Sequence, residues 1–367
     1  MRNITFAKDH NAEFYRTLQT RVRSYFKDNN ISKYGDWTMV LKTVIIMSAH
    51  ILPFLAITFL ITNPWLSVLA WFAMGFSMAG IGFSIMHDAN HGSYTPYDKL
   101  NKTLGFVLNY IGGSSKNWRI QHNILHHTYT NILGMDEDIS PGDTLRFSPH
   151  AERKAHHKYQ HYYAWFLYML MTILWITTKD IKGAFRYHKM GLTKTQNKSF
   201  AVYLSIIIGS KIVYYSTFLV LPLVYAPVAW YVVVIGFAVM HFTCGLILAL
   251  VFQPAHVVPS SPYCLPDDSG NVEADWAVNQ LYNTANFATK AKLLSWYVGG
   301  LNFQVEHHLF PNICHIHYKK LAKIVEETAT EFNLPYFNMR TFKDAIIEHK
   351  NMLRDLGRYD DARAMEF

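Results

Sequence analysis

The sequence predicts an all-α integral membrane protein: four transmembrane helices in two hairpins, with the water-facing segments forming a helical cytosolic cap. Three observations carry this. The chain is 50% hydrophobic, yet its mean hydropathy is only +0.03, so a bundle of spans shares it with a substantial water-facing part. Four apolar stretches are long enough to cross about 30 Å of hydrocarbon at about 1.5 Å per residue. The Lys and Arg residues flank those stretches, as they do at a cytoplasmic membrane face.

Taken in order, residues 1–42 form a cytosolic N-terminal amphipathic segment. Phe14, Leu18, Val22, Tyr25 and Phe26 fall on one helical face with Arg16, Arg21, Arg23 and Lys27 around it, a basic helix suited to an anionic membrane surface. The first 36 residues lack an early apolar core, so the first span acts as its own insertion signal and no cleavable signal peptide is expected. Spans follow at about Thr43–Thr62 and Trp65–Met86, turning at Asn63-Pro64, then at Tyr203–Ala226 and Val228–Gln253, turning at Ala226-Pro227. A fifth run, Tyr162–Ile176, would reach only about 23 Å as a helix. It is placed at the interface with the shorter Leu104–Ile111, because a crossing there would put later histidine groups on opposite faces. The stretch from His87 to Ser199 then stays on one side and holds fourteen Lys and Arg residues, which makes that side cytoplasmic, together with both termini. Lys211 lies inside the third run, where a charge costs about 2.5–3.5 kcal/mol on the insertion scale. It is expected to snorkel to the interface, the alternative being a partner inside the bundle. Residues 43–314 make the membrane and catalytic domain. Residues 315–367 carry two further helices, one with the stripe Leu321, Ile324, Val325, Thr328 and Phe332. The other runs from Phe342 to Leu353, with Thr341 as N-cap and Gly357 as stop.

A net charge of +8 does not point to nucleic acid, since no phosphate loop, RNP-type aromatic motif or zinc-finger spacing accompanies it. Cys244, Cys264 and Cys314 form no CxxC pair, so neither a disulfide framework nor a zinc knuckle is expected.

Eight histidines stand just beyond the apolar runs: His87-Asp88-Ala89-Asn90-His91, His122-Asn123-Ile124-Leu125-His126-His127, Gln304-Val305-Glu306-His307-His308, and His256. Two imidazoles at i, i+4 on a helix point the same way and can share an ion. Eight are too many for one ion and suit two borderline metals such as iron, hence a di-iron, dioxygen-activating centre. Asp88, Asp136, Glu137 and Asp138 are candidates to orient ligand imidazoles through the second ring nitrogen; the competing reading is a solvated acidic loop or a contact to a substrate headgroup. His156, His157 and His161 imitate a box but border the interfacial run. His50 and His241 lie within spans and read as packing residues.

The order HDxxH, HxxxHH, QxxHH resembles the membrane fatty acid desaturases, and a glutamine opening the last box resembles their front-end group. The match is carried by His87–Gly92, Trp118–Asn131 with Gly134–Ile139, and Gly299–Pro311 (GGLNFQVEHHLFP). The resemblance implies four transmembrane helices under a cytosolic cap holding two iron ions that cycle between Fe2+ and Fe3+. It implies His87, His91, His122, His126, His127, His307 and His308 as ligands, His256 as the extra ligand, and Gln304 as a weaker donor where other branches carry histidine. Trp118, Asn279, Thr284 and Asn302 flank the boxes as candidate tunnel or packing residues. The implied reaction uses dioxygen and two electrons to place a cis double bond in an acyl-CoA or acyl-lipid. No HPGG cytochrome motif is present, so the electron donor is expected to be separate, a ferredoxin or a small haem cytochrome with its reductase. A bacterial inner membrane is favoured, or endoplasmic reticulum in a eukaryote.

Two rival readings fit the same residues. A di-iron hydroxylase or ketolase acting on an alkyl, sphingoid or carotenoid substrate shares the site. A non-enzymatic haem or metal carrier would want its histidines or ionisable groups within the spans, where few lie.

Overall fold

The computed structural model describes residues 4–7, 12–261 and 263–359. Helices dominate; the strands among the described residues are two short parallel pairs, Thr5–Phe6 with Asn271–Val272 and Ala285–Phe287 with Phe337–Met339. Four helices are long and apolar enough to cross a membrane: Trp37–Phe59, Pro64–Asn90, Phe200–Tyr225 and Trp230–His256. The first begins earlier than Thr43 because Asp36 caps it, its Oδ1 accepting from Thr38 N at 2.9 Å. The second starts on Asn63, whose Oδ1 accepts from Trp65 N and Leu66 N, with Pro64 in the first turn where its missing N–H costs nothing. The second and fourth helices run past Met86 and Gln253, so their ends carry His87 and His256 on helical backbone. The Tyr162–Ile176 run lies in helix Gln160–Leu174, which continues through a wide turn at Trp175–Lys179 into Asp180–Lys189. It is not among the four candidate spans.

The chain divides into two compact units. One comprises Met1–Gly35, Gln121–Ala164 and Leu250–Phe367; the other comprises Asp36–Ile120 and Trp165–Ala249.

The second unit contains most of the apolar helices and corrects the expectation for Lys211. This lysine does not snorkel. It is 7% exposed, and its Nζ lies 2.5 Å from Asp180 Oδ2. Asp180 begins the helix after the apolar run, a partner too distant in sequence to be read from the third span alone.

In the first unit, helix Ala12–Asp28 buries Phe14, Leu18 and Val22 against Leu281, Phe303, Val305, Leu321 and Val325. The amphipathic face is real, but protein covers it rather than lipid. Arg21 pairs with Glu331 at 2.6 Å from the edge of that contact. The C-terminal helices form at Tyr318–Glu331 and Phe342–Arg358. Thr341 does cap the latter, in a reciprocal box with Asp344. Gly357 does not stop the helix but lies within it; a Cβ there would sit 2.1 Å from His157 O. The residue is glycine because another backbone passes that close. Among the described residues, Cys244, Cys264 and Cys314 form no disulfide.

Candidate metal centre

The first unit gathers histidines from three segments. His122 and His126 lie on helix Arg119–His126, which is wound as a π-helix, and His127 N donates to His122 O at 3.0 Å, closing an i→i+5 turn. Wide turns of this kind recur at functional sites. The wider winding alters the expected pairing: His122 is brought against His127 as well as His126. The Nε2 atoms of His122 and His307 lie 3.2 and 3.0 Å from His127 Nε2. One ring nitrogen cannot hold conventional hydrogen bonds to two others, since it offers either a single proton or a single lone pair. Nitrogens about 2.1 Å from a first-row divalent ion and at right angles around it lie about 3.0 Å apart. The convergence therefore fits ligands of a cation.

A second trio, His126, His256 and His308, has its ligand atoms within 4.8 Å of one another. Each of these rings is held through Nδ1. His126 Nδ1 meets Asp136 Oδ2 at 3.0 Å, His256 Nδ1 meets Asn283 O at 3.1 Å, and His308 Nδ1 meets Gln280 Oε1 at 2.9 Å. A carbonyl or carboxylate can only accept, so each Nδ1 carries a proton, which leaves Nε2 as the nitrogen that would meet a metal. The Nε2 atoms of His256 and His308 are buried and have no hydrogen-bond partner among the described residues. Such orphaned acceptors are costly unless something fills the gap, and a cation would.

Electrostatics separate the rings. Burial, reinforced by the neighbouring His127, His256, His126 and His122, holds His308 well below the ordinary histidine range and so neutral. Burial also opposes charge on His126, but Asp136 and Asp138 outweigh it and push its pKa up to about 9. Asp136 is fully buried and also accepts from Asn131 N and Asp138 N. Asp138 lies 3.5 Å from His126 Nδ1 and accepts from Gln121 Nε2 at 2.7 Å. His307 Nδ1 is 3.2 Å from Tyr318 Oη.

The other expected first-unit residues have mixed placements. Gln304 donates to Leu301 O at 2.8 Å, and its Oε1 faces His256 without closing a well-formed hydrogen bond. Asn279 receives Asn283 Nδ2 and reaches toward Thr130 O, which steadies the helix that supplies Gln280 and Asn283. Thr284 closes that helix by donating to Gln280 O. Asn302 stitches a loop, donating to Phe287 O and Ser295 Oγ. His156 and His157 bond Asp143 O instead of joining either trio. Gln280, Asn283 and Tyr318 escape a reading by motif, because only folding sets them behind the rings. Glu306 could have been noticed within its box. It is completely buried, accepts from Tyr336 Oη and Asn286 Nδ2 at 2.9 Å each, and is raised by burial to about 7, with those hydrogen bonds acting the other way.

The second unit holds His87 and His91 on one helical face, with ring centroids 4.8 Å apart. The Trp118 ring stands edge-on to both, at 5.5 Å from each. Asp88 Oδ1 lies 3.7 Å from His87 Nδ1, with both residues buried. Asn90, inside this box, accepts from Arg119 Nε at 2.8 Å and donates to Gly105 O. His50 meets Ser77 Oγ and His241 meets Tyr214 Oη, as packing residues do.

A family model described as fatty acid desaturase matches residues 63–340. The chain is 35% identical to an sn-1 linoleoyl-lipid 6-desaturase of Arthrospira platensis, over 99% of this chain and 97% of that protein. A protein of the same description from Synechocystis sp. is 35% identical over 94% of this chain and 96% of its own length. An acyl-lipid (8-3)-desaturase of Physcomitrium patens is 33% identical over 96% of this chain and 74% of its own length.

Proposed function

Because this chain belongs to the fatty acid desaturase family, and so is an oxidoreductase of lipid metabolism, we propose that it places a cis double bond in a lipid-bound acyl chain, on the carboxyl side of an existing one. The observation that carries the reading is the pair of adjoining imidazole groups, with three Nδ1 atoms tied to acceptors and two Nε2 atoms left buried without partners. Two iron ions are the proposed cofactor, with His87, His91, His122, His126, His127, His256, His307 and His308 as ligands and Gln304 as the weaker donor. Bound iron would supply the dioxygen chemistry that no amino-acid side chain can provide.

The protein's own task is to hold its ligands in place. Asp136, Gln280 and Asn283 keep His126, His308 and His256 in the tautomer that presents Nε2. Burial keeps His308 neutral. In balance, two hydrogens leave adjacent methylenes, dioxygen takes these with two electrons from a separate carrier and two protons from solvent, and two waters form. A ferredoxin or a small cytochrome with its reductase is the proposed carrier, with the centre on the cytoplasmic side.

The carboxyl-side regiochemistry rests on Gln304 and on the linoleoyl substrate named for two relatives. A cis-unsaturated chain is already bent, so a bent slot costs it less ordering than it costs a saturated chain. A host expressing the chain and fed linoleate should accumulate a product with its new bond nearer the carboxyl end, located by gas chromatography of pyrrolidide derivatives. Stearate should yield less, and His308→Ala should yield none. Products formed from saturated feeds alone would refute the regiochemistry, and full activity in His308→Ala would refute the site.

A further inference from the structure

We propose that the buried Lys211–Asp180 ion pair is a positioning device for the first histidine box, acting through Asn117 and Trp118. The proposal rests on the reading of His87 and His91 as metal ligands.

A lysine and an aspartate among apolar helices are expensive to bury, and here every charged edge is used. Lys211 Nζ donates to Asp180 Oδ2, to Gly112 O at 2.5 Å and to Trp175 O at 3.0 Å. Asp180 Oδ1 accepts from Trp175 Nε1 at 3.0 Å and from Asn117 Nδ2 at 3.2 Å, and Asp180 O accepts from Asn117 Nδ2 at 2.6 Å. Tyr203 Oη closes the network by a short hydrogen bond to Asn117 Oδ1. The pair thus knots three segments: the loop at 112–118, the wide turn at 175–180, and the third apolar helix at 203–211.

The loop is shaped for this knot. Gly112 adopts φ +92°, and a Cβ there would lie 2.6 Å from Ile176 Cγ2, so glycine alone lets its carbonyl reach Lys211. Asn109 braces the same loop, accepting from Ser115 N and donating to Ser210 Oγ. Ser114 caps the turn by accepting from Asn117 N at 3.3 Å. Trp118 comes next in the chain, and its ring edge meets both His87 and His91. A charge pair remote in sequence from the histidine boxes therefore sets where the indole stands against two of their rings. Mere insertion or packing would need only neutral residues of similar size, which a membrane accepts more readily.

The test uses the full chain in lipid nanodiscs, loaded with isotopically enriched iron and studied by Mössbauer spectroscopy alongside steady-state kinetics. Asp180→Asn, Lys211→Met and Asn117→Ala should each shift the quadrupole splitting of part of the iron signal and lower kcat severalfold, with KM little changed. Lys211→Arg should restore both. Ile208→Ala, on the same helix, should leave both native. Asn117→Ala keeps the ion pair, so it decides the matter if the charge variants fail to fold. A native spectrum and kcat in folded Asn117→Ala, or in the folded charge variants, would overturn the positioning role. A wild-type chain that binds no iron would instead overturn the metal reading and this proposal with it.

Discussion

At the scale of single residues, the second nitrogen of each imidazole matters as much as the first. His126 shows this most clearly: burial alone would keep it neutral, yet Asp136 and Asp138 draw a proton onto the ring. With a cation at Nε2, the same carboxylates would hold Nδ1–H and strengthen the donor. Asp136→Asn leaves one acceptor oxygen where two now serve His126, Asn131 and Asp138. We expect iron affinity to fall about 10- to 100-fold, measured by competition with a calibrated chelator. Unchanged affinity would show that Asp136 merely braces its loop. Asp136 stands out in the sequence as a carboxylate near a histidine box, whereas Gln280 and Asn283 do not. Neutral amides lie along many helices, and only folding puts one behind a ring.

At the scale of elements, local rules worked where the determinants were local. Thr341 is an N-cap in the sequence and in the structure, where Asp344 completes a reciprocal capping box. The stripe Phe14, Leu18 and Val22 predicts an amphipathic helix, but periodicity cannot say whether lipid or protein covers the face, and here it is protein. The second histidine box departs from i, i+4 logic because its helix is π-wound, a choice that tertiary packing imposes and propensity does not encode. Gly357 also deceives a local reading, since glycine near a helix end usually means a stop. Gly357→Ala should destabilise the first unit by about 1–3 kcal/mol, the ordinary cost of overpacking, because the new methyl would meet backbone at 2.1 Å. Thermal unfolding in detergent checks this, and an unchanged midpoint would mean that the two segments can part without penalty.

At the scale of the whole molecule, charge asymmetry is the strongest statement about sidedness. Fourteen Lys and Arg residues between His87 and Ser199 favour the cytoplasmic side for that stretch. Reporters fused near Lys194 and after Phe367 should both read cytoplasmic, and reporters near Asn63 or Ala226 should read external. Opposite readings for Lys194 and Phe367 would mean that Tyr162–Ile176 crosses the bilayer and that the assigned topology is wrong.

Residue order alone suffices to read the helical class, the four apolar helices to within about six residues at their ends, the histidine groups and their family. Hydrophobic run length, charge placement and motif order are one-dimensional quantities, and each is complete without knowledge of contacts. Tertiary structure alone decided what covers the N-terminal helix, which partner neutralises Lys211, why residue 357 is glycine, and which acceptor stands behind each imidazole. Those answers depend on residues far apart in the chain: Asp180 for Lys211, Phe332 for Phe14, His157 for Gly357 and Gln280 for His308. A buried charge or polar nitrogen must find some partner to repay its lost hydration. The sequence announces that need, and only the folded chain supplies the partner.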